Sequence, residues 1–566
     1  MVSAAGVCAP DGNELTPWQT GMWGALLRTL LHEESEGLDQ NWVSCFGYKP
    51  TTAEEILRRW VAAEPLLTWW PGCRVLEVRR QGDRITHILL ERKDKPLAPE
   101  RHWLSGKIFI DGSDRGDLFP LADVPFRLGW EARQEWNEPS APLQTDLETD
   151  PFFRNHPVQS PTWVTMGKLV GPSSGATARL PPPFTKATSR FKLERALTYG
   201  RLPGGLVMIN WPLHGNDWHH GLERAFAPGP AGPFPGSTAT EQELARQMKD
   251  HSNSFTFALA EASGGQMRPA ALFPTIQRAD CGDLQGRESL ALMPYWREGR
   301  RLKGVSVVSE NNILPMGQGP IIAPLPIDRQ GRMSSVVVGN YDNDHHYPGD
   351  EWPLAAKSCY WGGRLSGTPF TIPYGALVSS SVVNFLAADK CFSVSHIANG
   401  ACRLQPIILN LGQAAGQAAA LCIKHGIDPT ELNPMKVQIA LIKDLKAPAG
   451  VMPLWDTPWY HPLWRKRHLQ AARDPSEVCS TGTMSDANLT MDMIPRQKGE
   501  KVFEGELIAG DEKLYEFKTK CGIWKIITLE PIVMQKLLEL KRPTRTKIIG
   551  NINYWGPWIR VNKLLS

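Results

Sequence analysis

NFLAADKCFSVSHIANGACRLQPIILNLGQAAGQAAALC, residues 384–422, indicates the fold more directly than any other part of the chain. An apolar run at 385–388 predicts a strand, and a polar loop leads from it into a helix that begins near Leu404 to Pro406. The interior of that helix consists largely of Gly and Ala. Because small side chains let a backbone or a flat ligand approach the helix axis, the helix is predicted to lie closely against a neighbour.

The overall composition limits the classes of partner. With 566 residues the chain exceeds one hydrophobic core, so several structural units and a buried site are expected. The 62 basic and 58 acidic side chains nearly balance, and no long run of Lys or Arg is present. A nucleic-acid partner is therefore not expected.

The sequence also bears on cellular location. No charged start followed by a long apolar run opens the chain, and we predict no membrane span. The ten cysteines are scattered without a CxxC pair, which argues against a clustered iron–sulfur or zinc motif. These observations predict a cytoplasmic protein without a bound metal.

Secondary-structure signals alternate along the chain. A hairpin is predicted at 74–90 around the turn at 81–83, a strand at 107–110, and a helix at 241–262. The proline-rich segments at 181–183 and 227–236 are expected to be loops or lids. Several short alternating runs after Pro475 predict a separate small β module.

The segment from Ile108 to Leu118, IFIDGSDRGDL, carries the first chemical signal. An apolar strand that ends in Asp111 and a glycine-bearing turn presents a carboxylate and free N–H groups at the carboxyl edge of a sheet, where doubly wound folds bind ligands. The alternative is an ordinary strand and turn in which Asp111 caps the backbone.

Three motifs together resemble the FAD-dependent oxidoreductase family, the group that also holds heterodisulfide-reductase-A-like enzymes. Residues 108–142 are similar to its second FAD motif, 294–304 (PYWREGRRLKG) to its RESRRIxG segment, and 384–421 to its last motif. The three stand in the family's order and span about 310 residues.

The resemblance implies FAD as the cofactor. A helix amino end aimed at the flavin would favour the negative charge that develops on reduction. The residues that the resemblance places at the cofactor are Asp111, Gly112, Gly116, Asp117, Ser393, Ser395, His396, Arg403, Gly412, Ala415 and Gly416.

The chain departs from the family pattern at several points. Asp389 and Lys390 replace the usual Gly-Arg, and Gly112-Ser113-Asp114-Arg115 stands where Ala-Thr-Gly-Asp is common. No strand followed by a GxGxxG loop, the usual pyrophosphate site, is found. Either this βαβ unit has been lost or the start is internal to a longer reading frame, and we favour the second.

Histidines mark the expected substrate side. His214 lies in NWPLHGND, and His345 and His346 lie in GNYDNDHHYPG, where Asp344 could orient one of them. Since histidine titrates near neutrality, each is a candidate general acid or base. The alternative is that the acidic and amide residues form turns and the histidines fill gaps. Adjacent His345 and His346 cannot point the same way in an extended segment.

Arg297, Arg300 and Arg301 form the strongest predicted anion-binding cluster. Guanidinium groups bind carboxylates and phosphates through two parallel hydrogen bonds, so a carboxylated small-molecule substrate or the anionic region of the flavin would suit the cluster, and Arg297 is assigned to the substrate side. The alternative is a set of salt bridges between domains.

The sequence therefore predicts an α/β fold with a split, Rossmann-like FAD/NAD(P)-binding domain. Its parts are residues 1–135, with the first βαβ unit missing, and 366–474; a β-rich substrate domain is inserted at 136–365, and a β module occupies 475–566. The predicted activity is FAD-dependent hydride or electron transfer on a small molecule. Two alternatives stay open: a degenerate homologue without FAD that acts as an interaction protein, and electron transfer within a complex.

Overall fold

The computed structural model describes residues 1–92, 100–171, 179–212, 214–226, 238–274, 287–319, 321–349, 352–357, 359–485, 488–510 and 514–565. Within these ranges the chain is a mixed α/β protein. Its α-helices are α1 (Gly21–Glu33), α2 (Pro50–Ala62), α3 (Leu118–Leu121), α4 (Arg133–Trp136), α5 (Gln144–Thr149), α6 (Pro151–Asn155), α7 (Leu193–Thr198), α8 (Ala239–Ala262), α9 (His396–Cys402), α10 (Gln405–His425), α11 (Pro434–Lys443), α12 (Trp464–Arg473) and α13 (Pro531–Leu538).

The strands of the described residues form one barrel and several small sheets. They are β1 (Cys73–Gln81), β2 (Arg84–Arg92), β3 (Glu100–Ser105), β4 (Phe109–Asp111), β5 (Phe126–Arg127), β6 (Thr165–Leu169), β7 (Gly200–Arg201), β8 (Leu206–Ile209), β9 (Met267–Pro269), β10 (Phe273–Pro274), β11 (Arg287–Glu288), β12 (Arg301–Leu302), β13 (Ser335–Asn340), β14 (Cys359–Trp361), β15 (Arg364–Ser366), β16 (Pro369–Pro373), β17 (Phe385–Ala387), β18 (Lys501–Ala509), β19 (Tyr515–Thr519), β20 (Gly522–Ile527), β21 (Thr544–Asn553) and β22 (Trp558–Leu565).

The parallel pair β4 and β17 brings two distant parts of the chain together. Phe109 lies opposite Phe385 and Asp111 opposite Ala387, so both strands end at the same edge. Apolar residues of both strands and of α10 belong to one buried cluster. The strand predicted at the start of the 384–422 stretch and the helix predicted after it are confirmed.

A three-stranded antiparallel sheet, β1-β2-β3, lies beside this pair. The predicted hairpin is confirmed, with Gly82 in the left-handed region (φ 62°) at the turn. The side chain of Asn384 fixes the sheet to β17, because its Oδ1 accepts from the N–H of Ile85 at 3.0 Å and its Nδ2 donates to the Ile85 carbonyl at 2.9 Å. One amide therefore sets the position of the hairpin.

The central part of the chain carries the sheet β7-β8-β6-β9, against which α8 packs. Thr238 and Glu241 form a capping box at the start of α8, which confirms the predicted helix. The proline run at 181–183 forms a turn without regular secondary structure, as expected. The proline-rich segment predicted at 227–236 lies outside the described residues.

Helix α10 is long and apolar enough to cross a membrane by length and composition alone. In this protein it packs against α1, α11 and β13, and a core helix passes the same test of composition. We therefore assign it to the core. The cytoplasmic location stays a prediction.

The strands after residue 500 form a closed barrel in the order β18-β19-β20-β22-β21. Strand β20 pairs with β22 in parallel, β18 closes the ring on β21, and α13 connects β20 to β21. This strand order and the position of the helix match the oligonucleotide- and oligosaccharide-binding barrel, in which five strands form a Greek key. The β strands predicted in this region are confirmed, and their closure into a barrel is an addition to the prediction.

Glu530 fixes the barrel to the first residues of the chain. Its Oε2 accepts from the hydroxyls of Thr16 at 3.0 Å and Tyr460 at 2.5 Å, and the N–H of Thr16 donates to the Leu529 carbonyl at 3.0 Å. The side chain is 1% exposed, and burial raises its pKa to about 7. In the folded state this carboxyl therefore keeps its proton up to about pH 7, whereas in the unfolded chain it loses the proton near pH 4.5.

We expect the Glu530→Gln variant to remove a pH dependence of stability. A carboxyl whose folded pKa is raised from 4.5 to about 7 lowers the free energy of unfolding as pH rises between those values. The wild type should lose about 3 kcal/mol more than the variant between pH 4.5 and 7.

Urea unfolding at both pH values measures this difference. Glu539→Gln, which changes an exposed carboxyl on the adjoining helix, is the matched control. If the free energy of unfolding changed equally between the two pH values in the wild type and in Glu530→Gln, the raised pKa of Glu530 would be contradicted.

Candidate functional site

Asp111 stands at the carboxyl end of β4 and is 2% exposed. Its Oδ1 accepts from the Ser113 N–H at 2.8 Å and its Oδ2 from the Leu118 N–H at 2.9 Å. Burial raises the pKa of this carboxyl, and the two N–H donors oppose that effect. In the described structure Asp111 caps its own turn, so the capping alternative accounts for its contacts, and cofactor binding stays a prediction.

The glycines and the second acid of this turn have distinct surroundings. Gly112 is exposed, whereas Gly116 is buried at φ 65° and a Cβ there would lie 2.8 Å from the Phe119 ring. Asp117 lies 3.5 Å from Arg115 and 3.8 Å from Arg300, and burial raises its pKa to about 6. The turn from Gly112 to Asp117 is therefore packed against the rest of the protein, except at the exposed Gly112.

Lys390 resolves the departure from the family pattern noted at Asp389. Its ammonium group donates to Asp114 and, at 2.9 Å, to Asp389, and the lysine is fully buried. The two carboxylates hold the pKa of Lys390 above its usual range despite burial. The carboxyl edge of β4 and β17 thus carries a compensated acid–lysine–acid group.

The loop between β17 and α10 contains an additional helix, α9, that the sequence did not predict. Ser395 is its N-cap and accepts from the Ala398 N–H at 3.0 Å, while its hydroxyl donates to Glu138. Ser393 accepts from the Gly304 N–H at 3.2 Å. Both serines are buried and occupied by protein partners.

His396 begins α9 and is buried. Its Nδ1 lies 2.8 Å from Glu298 Oε1, and its Nε2 contacts the Tyr347 hydroxyl. Its N–H donates to Glu131 at 2.9 Å. Glu131 and Glu298 also pair with Arg301, so this histidine is one part of a buried charged network.

His346 is the centre of a second network, which we call the His346 cluster: Arg297, Asp217, His346, Asp344 and Arg403. Asp217 Oδ2 lies 2.7 Å from His346 Nδ1, and Asp344 Oδ2 lies 2.9 Å from Nε2. Arg297 pairs with Asp217 at 3.1 Å, and Arg403 pairs with Asp344 at 2.7 Å. The structure therefore brings Arg297 and His346, both predicted on the substrate side, together with Arg403, which was predicted at the cofactor.

The surroundings of the His346 cluster favour the ionised form of its two carboxyl groups. Burial alone would raise the pKa of Asp217 and of Asp344, but the neighbouring arginine and His346 lower both below the usual range. Each ring nitrogen of His346 faces a carboxylate oxygen, which accepts hydrogen bonds. Arg297 and Arg403 each pair with one of the two carboxylates, so both acids are held as paired anions.

His345 faces away from this cluster. Its Nε2 lies 2.9 Å from the Ile397 carbonyl and its Nδ1 lies 3.0 Å from the Tyr347 hydroxyl. Burial lowers its pKa to about 3, so the ring is neutral at physiological pH. The prediction that His345 and His346 point in different directions is confirmed.

His214 lies outside both networks. It is exposed and adopts the left-handed region at φ 55°. The loop instead supplies Asp217, whose carboxylate reaches His346. The catalytic role assigned to His214 gains no support from this position and stays a prediction.

The predicted arginine cluster is paired within the protein. Arg297 donates to Thr162 Oγ1 at 2.9 Å and to the Ser160 carbonyl, in addition to its ion pair with Asp217. Arg300 donates to backbone carbonyls, and Arg301 pairs with glutamates. These contacts agree with the salt-bridge alternative, so direct anion binding by Arg297 stays a prediction.

The small residues of α10 correct one expectation. Gly412 and Gly416 are exposed, and a Cβ at either would meet no atom of the described structure within 4 Å. Neither contacts the sheet, so of the two partners expected for these glycines, the sheet or the cofactor, only the cofactor stays a prediction. Ala415 is fully buried in the core, and its role at the cofactor also stays a prediction.

Sequence reasoning missed several members of these networks. Asp217, Glu298 and Glu131 each stand within quoted motifs, but nothing in their local pattern set them apart. The arginines of the segment 294–304 offered one signal. Because buried cations need anionic partners, acidic residues were to be expected beside them.

Comparison with known proteins now bears on identity. Residues 1–441 match the model of the family described as FAD dependent oxidoreductase. The chain belongs to this family. Neither the curated proteins nor the solved structures that were compared gave a match. Membership of the FAD dependent oxidoreductase family supports a flavin-dependent redox function and confirms the family predicted from the three motifs.

Buried amides of this family member fit the polar edge of a flavin. Both amide atoms of Asn343, together with Gln159 Oε1 and Asn399 Nδ2, are buried without a hydrogen-bond partner among the described residues. The Asn343 amide lies against Gly400, where a Cβ would be 2.5 Å from Asn343 Oδ1, and Asn399 immediately precedes this glycine. Gln159 Nε2 donates to Asn399 at 3.0 Å. Unmatched buried donors and acceptors require a partner, and a flavin pyrimidine edge presents both kinds of group.

Two glycine substitutions compare the packed surroundings of Gly400 with the open outer face of α10. We expect Gly400→Ala to destabilise the protein by about 1–3 kcal/mol, because its Cβ meets Asn343 and His345. We expect Gly416→Ala to stabilise it by up to about 1 kcal/mol, because Ala favours a helix and the position is open.

Thermal unfolding of the two variants and the wild type measures both effects. A destabilising Gly416→Ala substitution would show that another element or a ligand occupies the outer face of α10.

Proposed function

We propose that this family member is an FAD-dependent oxidoreductase with a split FAD-binding domain, formed by residues 1–135 and 366–474. The parallel pairing of β4 with β17 supports the joining of these two parts. The inserted residues 136–365 supply Asp217, Arg297 and His346. Arg403, from the second part of the split domain, completes the cluster.

The single observation that carries the proposal is the placement of His346 between two carboxylates. Asp217 is 1% exposed at its side chain and is fixed by Arg297, so it orients the ring through Nδ1. Asp344 is 37% exposed at its side chain and is the open member of the cluster. We place the substrate on that side, where it takes the place of Asp344 as the partner of His346 Nε2.

The proposed division of chemistry follows from these positions. When bound, FAD would accept a hydride, which carries two electrons and one proton. His346 exchanges the second proton with the substrate at Nε2, and Asp217 keeps the ring aligned through Nδ1. Arg403 is 3% exposed and donates to Asp344 at 2.7 Å, and it is the proposed partner of an anionic group of the substrate.

The first experiment tests the cofactor. Protein purified in the presence of FAD and passed through a desalting column should keep the flavin spectrum, with maxima at about 375 and 450 nm. The buried amides around Gly400 provide the physical reason for retention. A colourless protein that takes up no added FAD would overturn the assignment for this chain.

The second experiment tests His346. We expect His346→Gln to slow flavin reduction by roughly a hundredfold. The amide cannot exchange a proton near neutral pH, but it approximately keeps the size and hydrogen bonding of the side chain. Anaerobic loss of the flavin absorbance, measured with a panel of small hydroxy and amino carboxylates, reports the rate.

His425→Gln is the matched control, since His425 is exposed at the end of α10 and lies outside the cluster. Equal rates in the wild type and His346→Gln, with equal flavin content, would remove His346 from the proposed chemistry.

A further inference from the structure

A cleft of about 430 Å³ lies between the family-matched part of the chain and the carboxyl-terminal barrel. One wall is formed by residues around 16–46, and the other by residues 459–460, 495–501 and 529–560. A volume of this size falls within the range of small-molecule sites. The second wall stands outside the matched residues 1–441, so the cleft is a feature that family membership does not cover.

Aromatic rings line the cleft. Trp459, Tyr460 and Tyr554 contribute, and Tyr554 is 70% exposed. The guanidinium of Arg28 lies 5.0 Å from the centre of the Trp459 ring and covers one of its faces, so a ligand ring would contact the rest of this side chain. Exposed rings at a concave surface favour ligands that carry a planar ring.

Basic side chains outnumber acidic ones at the cleft. Arg560 pairs with Asp39 at 3.5 Å, but Arg496, Lys498 and Lys501 have no acidic partner among the described residues. Five basic groups and three acidic groups leave an excess of two positive charges, even with every acid ionised; the groups are Arg28, Arg496, Lys498, Lys501 and Arg560 against Glu36, Asp39 and Glu530. The charge of the wall therefore favours an anionic ligand.

Glu530 gives the cleft a fixed polar group. Thr16 and Tyr460 both donate to its Oε2, which holds the carboxyl in place. Glu530 lines the cleft and is only 1% exposed. A nearly buried carboxyl group held in a fixed position at the wall of a cavity is the kind of group that orients a ligand.

We propose that this cleft binds a small anion that carries a planar ring, the chemistry shared by nucleoside monophosphates and aromatic carboxylates. Trp459 and Tyr554 contact the ring, and Arg496, Lys498 and Lys501 contact the anionic group. Glu530 accepts or donates a hydrogen bond at the ring's polar edge. The site is separate from the His346 cluster, with which the cleft shares no lining residue.

Isothermal titration of the full chain tests the proposal with adenosine 5′-monophosphate and 4-hydroxybenzoate as probes. We expect one site per chain for at least one probe, and binding at least about tenfold weaker for adenosine and for inorganic phosphate, which each keep only half of the required chemistry. The two probes distinguish a phosphate from a carboxylate as the anionic group.

Variants locate the site. The double variant Arg496→Ala/Lys498→Ala and the single variant Tyr554→Ala should each weaken binding by about tenfold, and all three side chains are exposed enough to be changed without loss of the fold. Arg545→Ala/Lys547→Ala is the matched control, because it removes two positive charges from the same barrel outside the cleft.

Three results would overturn the proposal. These are no binding of either probe at millimolar concentration, phosphate or adenosine binding as tightly as the better probe, and equal affinities for the wild type and both cleft variants. Equal loss of binding in the control double variant would show a general charge effect and would also overturn it.

Discussion

The chain of ion pairs and hydrogen bonds from Arg297 through Asp217, His346 and Asp344 to Arg403 is the constraint on which the rest of the structure depends. Taking a single charge out of water costs several kcal/mol unless it is paired, so each loop of the cluster is stable only when the others are in place. The fold and the cluster are therefore coupled. The same contacts hold the loops that carry Asp217 and His346 to Arg403, at the end of α9.

The sequence predicted the elements that depend on local patterns. Alternation gave the hairpin β1–β2, and Pro406 with the residues after it gave the start of α10. Local patterns could not reveal that Asp217 pairs with His346, which is 129 positions away. Nor could composition show which side of α10 the small residues occupy. Their small size suggested that Gly412 and Gly416 contact a neighbour. Only the packing of the helix shows that both face outward.

The carboxyl-terminal barrel illustrates a different limit of local information. Its strands were predicted as a small β module, but closure depends on the parallel contact between β20 and β22, across α13 and β21. Such a pairing is set by the three-dimensional path of the chain and has no signature within either strand. A barrel of this order serves many ligands, so its chemistry must be argued from particular side chains at its surface.

The closure of the barrel has a consequence for the way the protein reaches its native state. β22 is the last strand, and β20 and β21 both lack a neighbour until it is in place. The barrel in turn holds Thr16 near the beginning of the chain. During synthesis the segment around Thr16 must therefore wait until Leu529 and Glu530 have left the ribosome before it gains these neighbours. Contacts between such distant residues make folding slow and leave partly folded chains exposed to chaperones and proteases during that interval.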